Sequence, residues 1–222
     1  MMKIGDLVLY KNNQLIALNK PIALPVQNDK TGDKTLLDLA EIYTHSKLQL
    51  IHRLDRPASG VVLFAKNKKA LAFLNLQFQE RKIKKTYLAV VKNLPKEKEG
   101  KLIHFLIKNQ NKNISFASNE EKPNSKKAEL NYRHLASSDN YHLLEIELIT
   151  GRHHQIRAQL AAIDCPIKGD VKYGFRRSNK DRSIHLHAWK LGFKHPVSKK
   201  NILLEAPLPD DVVWQALWNK MT

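Results

Sequence analysis

From residue 102 to residue 149 the chain carries a succession of strand-like segments: Leu102 to Ile107, Ile114 to Ala117, Ala128 to Leu135 and Tyr141 to Ile149. Polar turns such as Glu120-Glu121-Lys122-Pro123-Asn124-Ser125 separate them. Parallel strands need a crossover of about a dozen residues or more, usually a helix. Strands this closely spaced, with few helices between them, therefore favour an antiparallel meander over βαβ units.

The flanking segments add helices and further strands. Leu7 to Tyr10 and Leu15 to Leu18 read as two strands around the turn Lys11-Asn12-Asn13-Gln14, and the prolines of Lys20 to Val26 enforce a loop. Helical spacing runs from Thr35 to Tyr43, from Lys68 to Lys82 and from His153 to Ile163. Thr86 to Val91 is a strand, Lys92 to Lys101 a charged connector, and Leu203 to Pro207 extended. Asp210 or Asp211 can cap a last helix carrying Val212, Val213, Ala216 and Leu217. The expected fold is α+β, a mixed and largely antiparallel sheet flanked by helices and loops. No linker-like stretch divides the 222 residues, so one domain spanning 1–222 is expected.

Charge bounds the function. A net charge of +17 points to a polyanionic partner, most often nucleic acid. No apolar run is long enough to span a bilayer, the opening residues are no secretory signal, and no basic amphipathic helix marks a membrane surface. The lone Cys165 excludes an internal disulfide framework and fits a reducing cytoplasm, as a buried inert thiol. Adjacent His153 and His154 lack the further ligands of a metal site, so no metal is expected.

Chemistry concentrates at Leu50-Ile51-His52-Arg53-Leu54-Asp55-Arg56-Pro57-Ala58-Ser59-Gly60. One carboxylate lies between two arginines where an apolar strand, Leu48 to Ile51, meets a tight turn, and a second strand, Val61 to Phe64, follows. An acid so placed is rigidly held and reachable. Arg53 and Arg56 favour its charged form, which suits a nucleophile or base better than a proton donor. Taken alone, such a residue is more often an ordinary salt-bridged turn aspartate. Two further segments supply matching parts: Arg81-Lys82-Ile83-Lys84-Lys85-Thr86-Tyr87-Leu88-Ala89-Val90, and Gly151-Arg152-His153-His154-Gln155-Ile156-Arg157 followed by Ile167-Lys168-Gly169-Asp170-Val171-Lys172-Tyr173-Gly174.

In order and spacing these three segments resemble the RluA family of RNA pseudouridine synthases, and the resemblance runs from about Leu7 to the C-terminal strand. It implies a pseudouridine synthase-like core, an RNA substrate and no metal or organic cofactor. It also implies roles. Asp55 is then the catalytic acid, Tyr87 contacts the target base, Arg157 pairs with the acid, and Ile156 packs near the base. Arg53 and Arg56 match basic loop positions near the RNA backbone. Arg152, His154, Lys168 and Lys172 are further expected RNA contacts, and the adjoining Arg176-Arg177 beside Tyr173 and Phe175 read as an RNA edge. His185, His187 and Trp189 alternate as in a strand and read as structural.

The chain departs from the family pattern in places. Ile22-Ala23 follow Asn19-Lys20-Pro21, where relatives have a small residue and glycine, and His153 replaces the commoner threonine. An N-terminal RNA-binding domain found in many relatives is not expected here. The leading reading is an RNA pseudouridine synthase acting on tRNA or rRNA, cytoplasmic and monomeric. The alternative is a non-catalytic RNA-binding or RNA-folding protein on the same scaffold, which gives no reason for an acid among phosphate-binding groups. A glycosidic hydrolase needs a second acid, and a DNA-binding repressor needs a helix-turn-helix; neither feature is found.

Overall fold

A computed structural model of the chain describes residues 3–28 and 32–221. A short 3-10 turn, Ile4–Leu7, leads into β1 (Val8–Lys11), β2 (Leu15–Lys20), α1 (Leu36–Thr44), β3 (Gln49–Leu50), β4 (Ser59–Ala65) and α2 (Lys68–Gln79). Then come β5 (Lys84–Val91), β6 (Glu99–Asn109), β7 (Ile114–Ser118), β8 (Lys126–Ser137) and β9 (His142–Leu148). The chain closes with α3 (Gln155–Ala162), β10 (Leu186–Lys194), β11 (Asn201–Glu205) and α4 (Val212–Trp218). The architecture is α+β, as expected. The residues group into two compact units, one of the chain up to Lys85 plus Ala188–Pro209, the other of Thr86–His187 plus the segment from Asp210 onward.

In the first unit β2 pairs antiparallel with β1 and with β4, and β10 pairs antiparallel with β11. Every residue of β4 is buried, so it reads as a continuous apolar run rather than an alternating one. Its Val61, Leu63 and Ala65 join Leu15, Ala17, Leu191 and Phe193 in one cluster, and α2 contributes Ala70 and Leu74. Asn67 starts α2 by accepting from the Ala70 amide. The helix stops at Gln79 rather than Lys82 because Arg81 turns left-handed at φ 56°. The Lys82 amide then bonds back to the Gln77 carbonyl, closing a Schellman-type end without a glycine.

At Gly60 the backbone of β4 comes close to Ala188 of β10. Its φ is 114°, and a Cβ there would lie 2.2 Å from the Ala188 carbonyl oxygen and 2.6 Å from its nitrogen. No flexible side chain is available to give way. Gly60→Ala should therefore lower unfolding stability by about 1–3 kcal/mol, from overpacking and left-handed strain together. Urea denaturation checks this, and an unchanged midpoint would contradict the close approach.

In the second unit the sheet order is β5-β9-β8-β6-β7, with each neighbouring pair antiparallel. The antiparallel pairing is as the strand spacing predicts, but the order is not a simple meander: β6 lies between β7 and β8, so these two consecutive strands are not neighbours. β6 also starts earlier, at Glu99, inside the stretch expected to be a connector. Ala158 of α3 packs against Leu106 and Ala128, fixing the helix on β6 and β8. Asp211 caps α4 through the amides of Val213 and Trp214. No helix among the described residues is long and apolar enough to cross a membrane.

Candidate active site

Asp55 stands, half-buried, in the loop between β3 and β4. Leu54 and Ala58 on either side of it are buried, and the Ala58 amide donates to the Asp55 carbonyl at 3.1 Å, closing the turn. Beneath this loop lies Lys20, the last residue of β2, with no exposed surface. Its ammonium donates to the carbonyls of Pro21 and Leu24, both at 2.9 Å, and of Arg56 at 3.1 Å. One buried cation thus ties the proline loop to the residue next to Asp55. Burial pulls the Lys20 pKa down to about 7, with Asp55 working to raise it and Arg56 to lower it. Asp55 is therefore near enough to bear on the charge of Lys20.

The arginines beside Asp55 have different surroundings. Arg53 is exposed. Arg56 donates from Nε to the Ala23 carbonyl at 2.9 Å and pairs with Asp33. It latches the proline loop, in addition to the RNA-facing place the resemblance implies. Ala23 itself sits at φ 63°, the left-handed region where glycine is least strained, so the departure from the family pattern leaves the turn in place. His52 is half-buried and accepts the Leu63 amide at 3.1 Å through Nε2, which fixes it as a neutral ring. Its ring also lies 5.5 Å from that of Phe78.

The second unit carries the remaining candidates. Tyr87, half-buried, is opposite Ile146 in the β5–β9 ladder. Arg157 is on α3 and only 4% exposed, held by the Asp170 carboxylate in a two-pronged pair, Nε to Oδ2 at 2.6 Å and the second amine to Oδ1 at 2.8 Å. The planar guanidinium suits this two-point grip. Its Cζ also lies 5.0 Å from the Tyr173 ring centroid. Ile156 is buried beside it.

The Gly151-Arg152-His153-His154 loop is held by side chains. Gln155 accepts from Thr150 at 2.7 Å and from the Arg152 amide at 2.9 Å, and donates to the Glu129 carbonyl at 3.0 Å. His154 takes a left-handed conformation at the start of α3 and is 9% exposed, with Nδ1 3.0 Å from the Tyr173 hydroxyl. It is thus largely an internal support, where an RNA contact was expected. His153 stacks on it at 3.8 Å and bonds to Ser115 on β7 at 2.9 Å. Arg152 and Lys172 are exposed. Lys168 is half-buried and donates to Asn179 at 2.7 Å.

Residues 14–162 match the family described as RNA pseudouridylate synthase. The chain belongs to that family. It is 34% identical over 216 residues to the ribosomal large subunit pseudouridine synthase C of Buchnera aphidicola subsp. Baizongia pistaciae, covering 92% of this chain and 67% of the relative. It is 32% identical over 234 residues to the tRNA pseudouridine synthase C of Haemophilus ducreyi, covering 96% and 94%. Among solved structures, human RNA pseudouridylate synthase domain containing 4 superposes with a TM-score of 0.78 at 25% identity, covering 98% of this chain and 94% of that one. The synthase is an isomerase acting on uridine in RNA.

Two residues that hold the candidate groups were not singled out from the sequence. Asp170 lies inside the Ile167-Lys168-Gly169-Asp170 string, but nothing along the chain marks it as the partner of Arg157. Lys20 lies inside Asn19-Lys20-Pro21, but nothing in a lysine's neighbours along the chain announces burial. His185, His187 and Trp189 are buried, as the strand reading had it. Cys165 is also buried, and its thiol is pushed up to about 11. No cluster of three or more His, Cys, Asp or Glu suited to a metal occurs among the described residues.

Two desolvated histidines set an acid limit on the fold. Burial lowers both His52 and His185 to about 4, the latter despite the opposing Asp211 carboxylate 3.1 Å away. In the unfolded chain each titrates near 6.5. Below that pH the unfolded state binds more protons, so stability present above pH 6.5 is lost as the pH falls toward 4. Urea midpoints should drop steadily from pH 7 to pH 5, and His52→Gln should remove part of that slope. A flat profile would refute the burial argument.

Proposed function

We propose that Asp55, Tyr87 and Arg157 act as one catalytic set in a single domain, converting uridine to pseudouridine in tRNA or rRNA. The observation that carries this reading is the bracing of the Asp55 loop by the buried Lys20 ammonium. A carboxylate set half-exposed in so rigid a loop is pre-organised rather than adventitious. The reaction breaks the N1–C1′ bond, turns the uracil, joins C5 to C1′ and passes the C5 hydrogen to solvent while N1 gains a proton. No electrons are exchanged and no group leaves the molecule. Asp55 serves this as nucleophile, either at C1′, as carboxylates do in glycoside chemistry, or at C6 of the ring. Tyr87 stacks on the displaced base, offsetting part of the few kcal/mol spent on unstacking it.

The substrate choice follows the relatives, one named for the large ribosomal subunit and one for tRNA. Arg53, Arg152, Lys168 and Lys172 supply backbone charge, and the enzyme works as a cytoplasmic monomer. Tritium release from RNA carrying [5-³H]uridine tests this directly, since forming the C5–C1′ bond expels that hydrogen. Release from a tRNA or an rRNA pool is expected and identifies the substrate class. Release from neither pool would refute the reading.

A further inference from the structure

The turn joining β8 to β9 ends at Tyr141, pinned by Ser138: the Ser138 amide donates to the Tyr141 carbonyl at 2.8 Å, and the Tyr141 amide to the Ser138 hydroxyl at 3.2 Å. The half-buried Tyr141 ring stands 6.5 Å from that of Phe175, their planes 31° apart. Lys92 and Lys168 place their ammonium groups 5.6 and 5.8 Å from the Tyr141 centroid. Exposed Lys172, Arg176 and Arg177 continue the same loop as Phe175. Among the described residues none of Lys92, Lys172, Arg176 and Arg177 forms an ion pair with a carboxylate. Two rings and a fringe of unpaired cations form a surface that a polyanion with flat bases complements.

The backbone sets this surface in register with the catalytic strand. The amides of Tyr173 and Phe175 both donate to the Asp170 carbonyl, at 3.0 and 3.1 Å, while its carboxylate grips Arg157. The Lys168 amide donates to Val90 of β5 at 2.8 Å. Val90 lies three residues beyond Tyr87, roughly 10 Å along a strand. We propose that Tyr141 and Phe175, with Lys92 and Lys168, form a stacking site for an unpaired nucleotide flanking the target uridine. The substrate is therefore a uridine with an unstacked neighbour, as in a loop or bulge, because a base within a duplex has no face to offer. This inference rests on the target uridine lying at Tyr87, as proposed above.

Filter binding in moderate salt distinguishes this from packing alone. The probes are a hairpin RNA with a uridine-rich loop and a blunt duplex of similar length. Tyr141→Ala and Tyr141→Leu should each weaken hairpin binding about tenfold, with little change for the duplex, while Tyr141→Phe should bind like the parent. The salt slope should be unchanged in the Tyr141 variants and shallower by about one in Lys92→Gln. Leu keeps the apolar volume without a flat face, so it decides the matter if the Ala variant fails to fold. Hairpin binding unaltered in the Leu variant, or equal losses on both RNAs, would overturn the stacking site. Tritium release by the parent is measured alongside, so failure of the catalytic reading registers separately.

Discussion

Asp55→Asn protein should release no tritium from [5-³H]uridine RNA while binding that RNA within about tenfold of the parent. The amide is nearly the same size as the carboxylate, so the loop closed by Ala58 and braced by Lys20 keeps its shape. What is lost is the negative charge and the lone pair that would attack the substrate. Affinity survives because a net +17 spread over many lysines and arginines holds the phosphates. Residual turnover in this variant would remove Asp55 from the chemistry. Turnover and RNA binding lost together would instead point to a structural role.

Asp170→Ala should be among the most damaging substitutions to stability. It strips the two-pronged partner from a guanidinium that is 4% exposed. Breaking a buried pair in this way costs on the order of 3–5 kcal/mol. Activity should fall with stability, because Arg157 loses the contact that fixes its rotamer. The double variant Asp170→Ala, Arg157→Met should regain much of the stability but none of the activity, since an apolar residue removes the stranded charge without replacing its role. Urea midpoints and tritium release read the two effects separately. A single variant that unfolds at the parent's midpoint would show that the pair is not held as described.

Much of this was legible in the chain itself. The antiparallel pairing follows from strand spacing between residues 102 and 149, although the place of β6 between β7 and β8 does not, and the cap of α4 follows from Asp211. Hidden features share one cause, in that they depend on what the fold brings near rather than on neighbours along the chain. Arg81 ends α2 and Ala23 turns the proline loop at positive φ, and neither residue type signals that conformation. Lys20 reads as surface charge until three carbonyls surround it. The two compact units are built from discontinuous segments, so no linker composition marks them. Among the site residues, placement on strands and loops was legible for Asp55 and Tyr87. Burial of His154 and the Asp170 grip on Arg157 were not, because each needs the packed helix α3.

The Asp170 grip also bears on how this lineage can change. Both partners are buried in one unit, so losing either alone removes the group the other now grips. The two positions are therefore expected to change together in descendants or to be kept together. Drift in one codon then reports on the other.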